Sequence, residues 1–137
     1  MIKIKYDNTL MKYISLFETL TGTQVKDCIV NDHTTFIVHE NQIAKAIGRN
    51  GSNVHRLENL LNRKIKIVEF NPQVLKFITN YIYPLRLHDI KEADGVITMI
   101  GPDTKTKGLL IGRDSKNLKQ LQAIVQRYFD IKDIRVI

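Results

Sequence analysis

Two short segments carry the residue types that could hold an anion. Ile47-Gly48-Arg49-Asn50-Gly51-Ser52-Asn53-Val54 is followed, 64 residues on, by Ile111-Gly112-Arg113-Asp114-Ser115-Lys116-Asn117-Leu118. In both, a glycine and an arginine stand where one apolar helical pattern breaks and another begins. The first N–H groups of a helix lack an intrahelical acceptor, and the helix dipole places partial positive charge there. A phosphate is stabilised at such an end. Glycine lets a ligand backbone come close because no Cβ stands in the way. Arg49 and Arg113 can pair with phosphate oxygens from inside the turns. Lys45, His55 and Arg56 fall within about one to two helical turns of the first segment. The candidate binding residues are Lys45, Ile47 to Asn53 and Arg56 in the first segment, and Lys107 and Gly112 to Asn117 in the second.

The charge is distributed to match. Lys and Arg number 21 against 14 Asp and Glu, a net charge of +7 over 137 residues. Residues 45–66 hold Lys45, Arg49, Arg56, Arg63, Lys64 and Lys66 against Glu58, a local +5. Residues 105–119 hold Lys105, Lys107, Arg113, Lys116 and Lys119 against Asp114, a local +4. The other 100 residues sum to −2, so the positive charge is concentrated, twice, as binding of nucleic acid or of an acidic partner requires. The length excludes a Rossmann enzyme with a substrate domain and a full α/β barrel. With 43% hydrophobic and 26% charged residues the chain is not a disordered one. One cysteine, Cys28, excludes a disulfide scaffold and a cysteine-based zinc site, and no cofactor or metal is expected. No stretch approaches the roughly 20 apolar residues of a membrane span. Met1-Ile2-Lys3-Ile4-Lys5-Tyr6-Asp7 is charged throughout and is not a signal peptide, so a cytoplasmic location is expected.

The offset of 64 continues through Leu57/Leu121, Leu60/Ile124 and Leu61/Val125, which implies two similar modules, 1–70 and 71–137. Each is near the lower size limit for an independent core, so the two are expected to pack on each other. Helical spacing runs from Leu10 to Leu20, and β-branched runs cover 26–31 and 34–39 around a turn at Asn31-Asp32-His33. Asn41 is a candidate cap for a short helix to Ile47, and Ser52 for a second helix; a strand over 64–70 closes the module. The second module repeats the order: a helix from Pro72 stopped by Pro84, strands over 85–93 and 96–100 around Asp94-Gly95, helices over 104–111 and 116–129, and a strand over 131–137. The order α-β-β-α-α-β, with a three-stranded sheet packed on helices, gives the fold class α+β. Tyr81, Tyr83, Tyr128 and Phe129 read as core or module-interface residues, and Cys28 as a small buried one.

Ile-Gly-Arg-Asn-Gly between helices, after two strands and before a third, resembles a KH module of the prokaryotic type. Two in tandem, with Gly101-Pro102-Asp103 before the short helix of the second, resemble the archaeal NusA-type transcription factors over essentially the whole chain. KH modules clamp about four nucleotides with a Gly-x-x-Gly loop. The resemblance implies binding of single-stranded RNA in transcription elongation, pausing or termination, by a monomer, with RNA polymerase or another transcription factor as a second candidate partner. Bacterial relatives have additional domains for polymerase contact, for which this length leaves no room, so that role carries over poorly. The second loop departs from the family pattern: Ser115 stands where the last glycine is expected, and Asp114 would repel a phosphate. Ser115 is a candidate cap of the following helix. The first loop is expected to grip more firmly, with the second extending the track.

The alternative reading is a helix-turn-helix DNA-binding regulator over residues 41–61. A following strand and a second copy in the same β context argue against it. An enzyme would need an acid/base pair, and His33, His39 and His88 have no partner spacing. Residues 101–108 do not match a P-loop, so no enzymatic activity is expected.

Overall fold

The computed structural model describes residues 8–137; Met1–Asp7, on which the reading of the N-terminus rests, lie outside the described residues. The chain divides between Asn71 and Pro72 into two compact units. Among the described residues no helix is long and apolar enough to cross a membrane.

The first unit runs α1 (Asn8–Thr21), β1 (Val25–Val30), β2 (Thr34–Val38), α2 (Ile43–Ile47), a 3-10 turn at Arg49–Gly51, α3 (Ser52–Leu61) and β3 (Ile65–Glu69). β2 is the middle strand, antiparallel to β1 and parallel to β3. All five of its residues are buried, and it reads as a continuous run of β-branched residues and Phe36 instead of an alternating one. Phe36 of β2 stacks on Phe17 of α1 with ring centroids 4.3 Å apart. Leu10, Cys28, Val38, Ala46 and Leu57 complete this core. Cys28 is fully buried. Desolvation first, and then the Asp27 carboxylate, push its thiol up to about 12. Because the thiolate is the reactive form, Cys28 should resist a thiol reagent at pH 8 in the folded protein. Labelling should appear only with the denaturant-induced unfolding of this unit.

The second unit repeats the order: α4 (Val74–Ile82), β4 (Asp89–Ala93), β5 (Val96–Ile100), α5 (Thr104–Ile111), a 3-10 turn at Arg113–Ser115, α6 (Lys116–Tyr128) and β6 (Asp133–Val136). The strand order is β4-β5-β6, again antiparallel then parallel. Asp94 and Gly95, both at positive φ (53° and 79°), make the two-residue hairpin turn. Each sheet lies on helices of its own unit, so the class is α+β. β4 is shorter than the expected 85–93, because its ladder partner β5 has only five residues to pair with Asp89–Ala93. Leu85 instead donates its N–H to the Ile82 carbonyl, at 2.9 Å, in a turn off the end of α4. Phe77 is fully buried, and Tyr81, Tyr128 and Phe129 gather on it with centroids 6.2, 5.9 and 5.8 Å away. Tyr83 does not join them; it is 67% exposed.

The caps differ from expectation. Asn41 does not cap α2; it sits one residue early at φ 65°, its N–H donating to a Glu69 carboxylate oxygen at 2.8 Å. Ser52 is the first residue of α3, and Gly51 occupies the cap position in the left-handed region. Ser115 does hold the cap position of α6, but its hydroxyl makes no cap bond. The side-chain cap lies at Asp103, whose carboxylate accepts the Thr106 N–H at 2.7 Å. That bond holds the Asp103 carboxyl below the ordinary carboxylate range.

Gly108, inside α5, corresponds to Ala44 of the first unit. A Cβ at Gly108 would meet nothing within 4 Å. Gly108→Ala is therefore expected to stabilise the second unit by about 1 kcal/mol, read as a rise of roughly 4–8 °C in its thermal midpoint.

Candidate functional site

The two Ile-Gly-Arg segments fold into the same turn. Gly48 and Gly112 have φ/ψ of 79°/171° and 75°/172°. Asn50 and Asp114 follow at 54°/31° and 55°/32°, and Gly51 and Ser115 at 72°/20° and 61°/21°. The hydrogen bonds repeat as well. Gly48 N–H donates to the Ala44 carbonyl at 3.0 Å, and Gly112 N–H to Gly108 at 2.8 Å. Gly51 and Ser115 each donate an N–H back to the first glycine's carbonyl at 3.2 Å. Ser115 thus keeps the turn that glycine makes in the first unit, since αL is accessible to a small polar residue at modest strain.

Asn53 and Asn117, expected among the ligand contacts, tie the turn together. The Asn53 side-chain amide donates to the Lys45 carbonyl at 3.2 Å, and that of Asn117 to the Leu109 carbonyl at 2.9 Å. Each bond links the helix before the turn to the helix after it. The same packing explains the first glycine. A Cβ at Gly48 would stand 2.8 Å from the Ser52 hydroxyl oxygen, and one at Gly112 would stand 2.9 Å from the Asn117 backbone nitrogen.

The side chains of the two windows separate into two groups. Arg49, Asn50, Arg56, Arg113 and Asp114 are exposed, and among the described residues their side chains make no hydrogen bond or ion pair. Ser52 and Lys116 are also exposed, while Ile47 is half-buried. Other basic residues of the windows also touch the fold. Arg63 donates from Nε to the Thr34 hydroxyl at 2.9 Å and from Nη2 to the Asn31 carbonyl, closing the β1–β2 turn. Lys45 lies against Gly22, its Nζ 3.4 Å from where a Cβ there would be. Lys107 packs its stem on buried Gly101. Lys66 is partly buried in β3, and desolvation lowers its ammonium pKa from the usual lysine range. Arg49 and Arg56 at the first turn, and Arg113 and Lys119 at the second, place exposed positive charge beside helix starts that attract anions. That arrangement suits a phosphate group. Among the described residues no cluster of His, Cys, Asp or Glu could hold a metal. His55 and Lys119, outside the expected set, stand at equivalent exposed positions one turn into α3 and α6.

The sequence pattern of the KH domain matches residues 12–81, from within α1 into α4. A protein of Methanocaldococcus jannaschii named "Probable transcription termination protein NusA" is 30% identical over 141 residues, covering 100% of this chain and 77% of that one. Relatives with the same name from Halococcus morrhuae and Thermoplasma acidophilum are 29% and 26% identical, each across 97% or more of both chains. The crystal structure of APE1850 superposes with a TM-score of 0.69 at 25% identity, over 93% of this chain and 96% of that one. The chain belongs to the KH-domain family, and within it to the archaeal NusA-like transcription termination proteins.

Proposed function

We propose that both units are KH modules and that the protein binds single-stranded RNA through them. It would act in transcription elongation, pausing or termination, as a cytoplasmic monomer working alongside RNA polymerase or other transcription factors. One observation carries the reading: the same backbone turn recurs in each unit with an exposed, unpartnered arginine at its tip. The names of the relatives support the setting in transcription. Arg49 with Arg56, and Arg113 with Lys119, supply the positive charge, and the helix starts supply N–H donors for the phosphate. The first turn grips more firmly, because Asp114 brings a carboxylate to the second. A recognition helix in duplex DNA is disfavoured, since α3 leads directly into β3, which pairs with β2.

Filter binding with single-stranded RNA and duplex DNA of equal length tests the reading. Tighter binding of the RNA is expected, with a log–log salt slope of roughly 0.7 per phosphate contacted. Preference for the duplex, or a flat salt response, would overturn it.

A further inference from the structure

His55 is exposed and is not part of the core of the first unit. Its ring lies over the last residue of the turn: a Cβ at Gly51 would stand 3.5 Å from His55 Nε2 and 3.6 Å from Cδ2. The imidazole therefore covers the bare side of Gly51, and among the described residues it makes no hydrogen bond or ion pair. Arg49 and Arg56, on either side of it in sequence, are equally unengaged.

The equivalent residue in the second unit is Lys119, and Ser115 there carries the Cβ that Gly51 lacks. At one position the two turns thus present groups of different kind. A lysine ammonium is a flexible point charge that attracts a phosphate from any direction and carries no preference among bases. An aromatic ring offers a face on which an unstacked base can lie, and its nitrogens can meet a base edge.

We propose that His55 is a specificity-determining residue of the first turn, stacking on the nucleobase next to the phosphate held at Gly48–Gly51. Lys119, at the same place in the second turn, adds only a sequence-neutral phosphate contact. The assignment rests on the RNA-binding reading above.

The test uses the full chain and fluorescence anisotropy with short labelled oligoadenylate and oligouridylate over a range of salt. Purines stack more strongly, so the unaltered protein is expected to favour oligoadenylate. His55→Ala should weaken oligoadenylate binding about tenfold, bring the ratio of the two affinities toward one, and leave the salt slope unchanged. His55→Lys should raise the slope by about 0.7 without restoring the ratio. Lys119→Ala should lower the slope by about 0.7 and leave the ratio alone. The proposal is overturned if His55→Ala leaves the ratio unchanged, or if His55→Lys restores it. Failure of the unaltered protein to bind either RNA would overturn the RNA-binding reading, and this assignment with it.

Discussion

The double substitution Arg49→Asp, Asn50→Asp is expected to weaken binding of single-stranded RNA by about 100-fold while leaving the fold intact. A hydrogen bond to a charged group contributes about 1.5–3 kcal/mol, and 1.4 kcal/mol is tenfold in affinity. Removing the Arg49 contact and placing two carboxylates against a phosphate exceeds a single such bond. The fold should survive because neither side chain has a partner among the described residues. The molecule also contains its own control: Asp114 holds the Asn50 conformation to within one degree in both angles. Arg113→Asp is expected to cost less, roughly tenfold, because Asp114 already weakens that turn and Lys116 and Lys119 remain beside it. Anisotropy at fixed salt, with circular dichroism to check the fold, measures both. Unchanged affinity in the Arg49/Asn50 variant would remove the first turn from the binding site.

These expectations draw on parts of the chain that were unequally legible before any fold was known. The turns were visible because their residues recur at one offset, and side-chain identity at Gly48/Gly112 and Arg49/Arg113 reports the backbone directly. The strand pairs were visible from β-branched runs and from Asp94-Gly95, whose chemistry suits a hairpin. The caps were not. Asn and Ser mark either a helix cap or a left-handed residue; Asn41 adopts the second, and Ser115 is both at once, holding the cap position of α6 in the left-handed region with no side-chain cap bond. The turn also puts Gly51 in the cap position that Ser52 was expected to hold. Nor could local charge show which cations are free. Arg63 is drawn off by the Thr34 hydroxyl and by the Asn31 carbonyl, 32 residues away in sequence. Those are tertiary contacts, invisible to a window of composition. The asparagine ties were readable in principle, since Asn53 and Asn117 share the repeat, but only the fold brings the carbonyls of Lys45 and Leu109 within reach of them.

Alanine at the first glycine of each turn should destabilise the protein more than any change at the last one. Both Gly48 and Gly112 combine positive φ with ψ near 171°, a region essentially restricted to glycine, where another residue costs about 1–3 kcal/mol. Steric conflict adds to that strain, and its nature separates the two. At Gly48 the new Cβ meets the Ser52 hydroxyl at 2.8 Å and the Asn53 amide at 3.0 Å. Those are side-chain ends, which can swing away at the loss of the Asn53–Lys45 bond, about 1 kcal/mol. At Gly112 the Cβ also meets the Asn117 backbone nitrogen at 2.9 Å, so the first turn of α6 itself must move. Overpacking of this kind costs about 1–3 kcal/mol. Gly112→Ala is therefore expected to cost about 4 kcal/mol, and Gly48→Ala about 3 kcal/mol. Gly51→Ser should cost only about 1 kcal/mol, because Ser115 already adopts that conformation at φ 61° and a Cβ at 51 meets nothing closer than 3.5 Å. Native-state hydrogen exchange, read separately for amides of β2 and β5, assigns each loss to its own unit. If Gly112→Ala proves no more costly than Gly51→Ser, the first glycine is not what holds the turn closed, and the two positions have been ranked on the wrong contact.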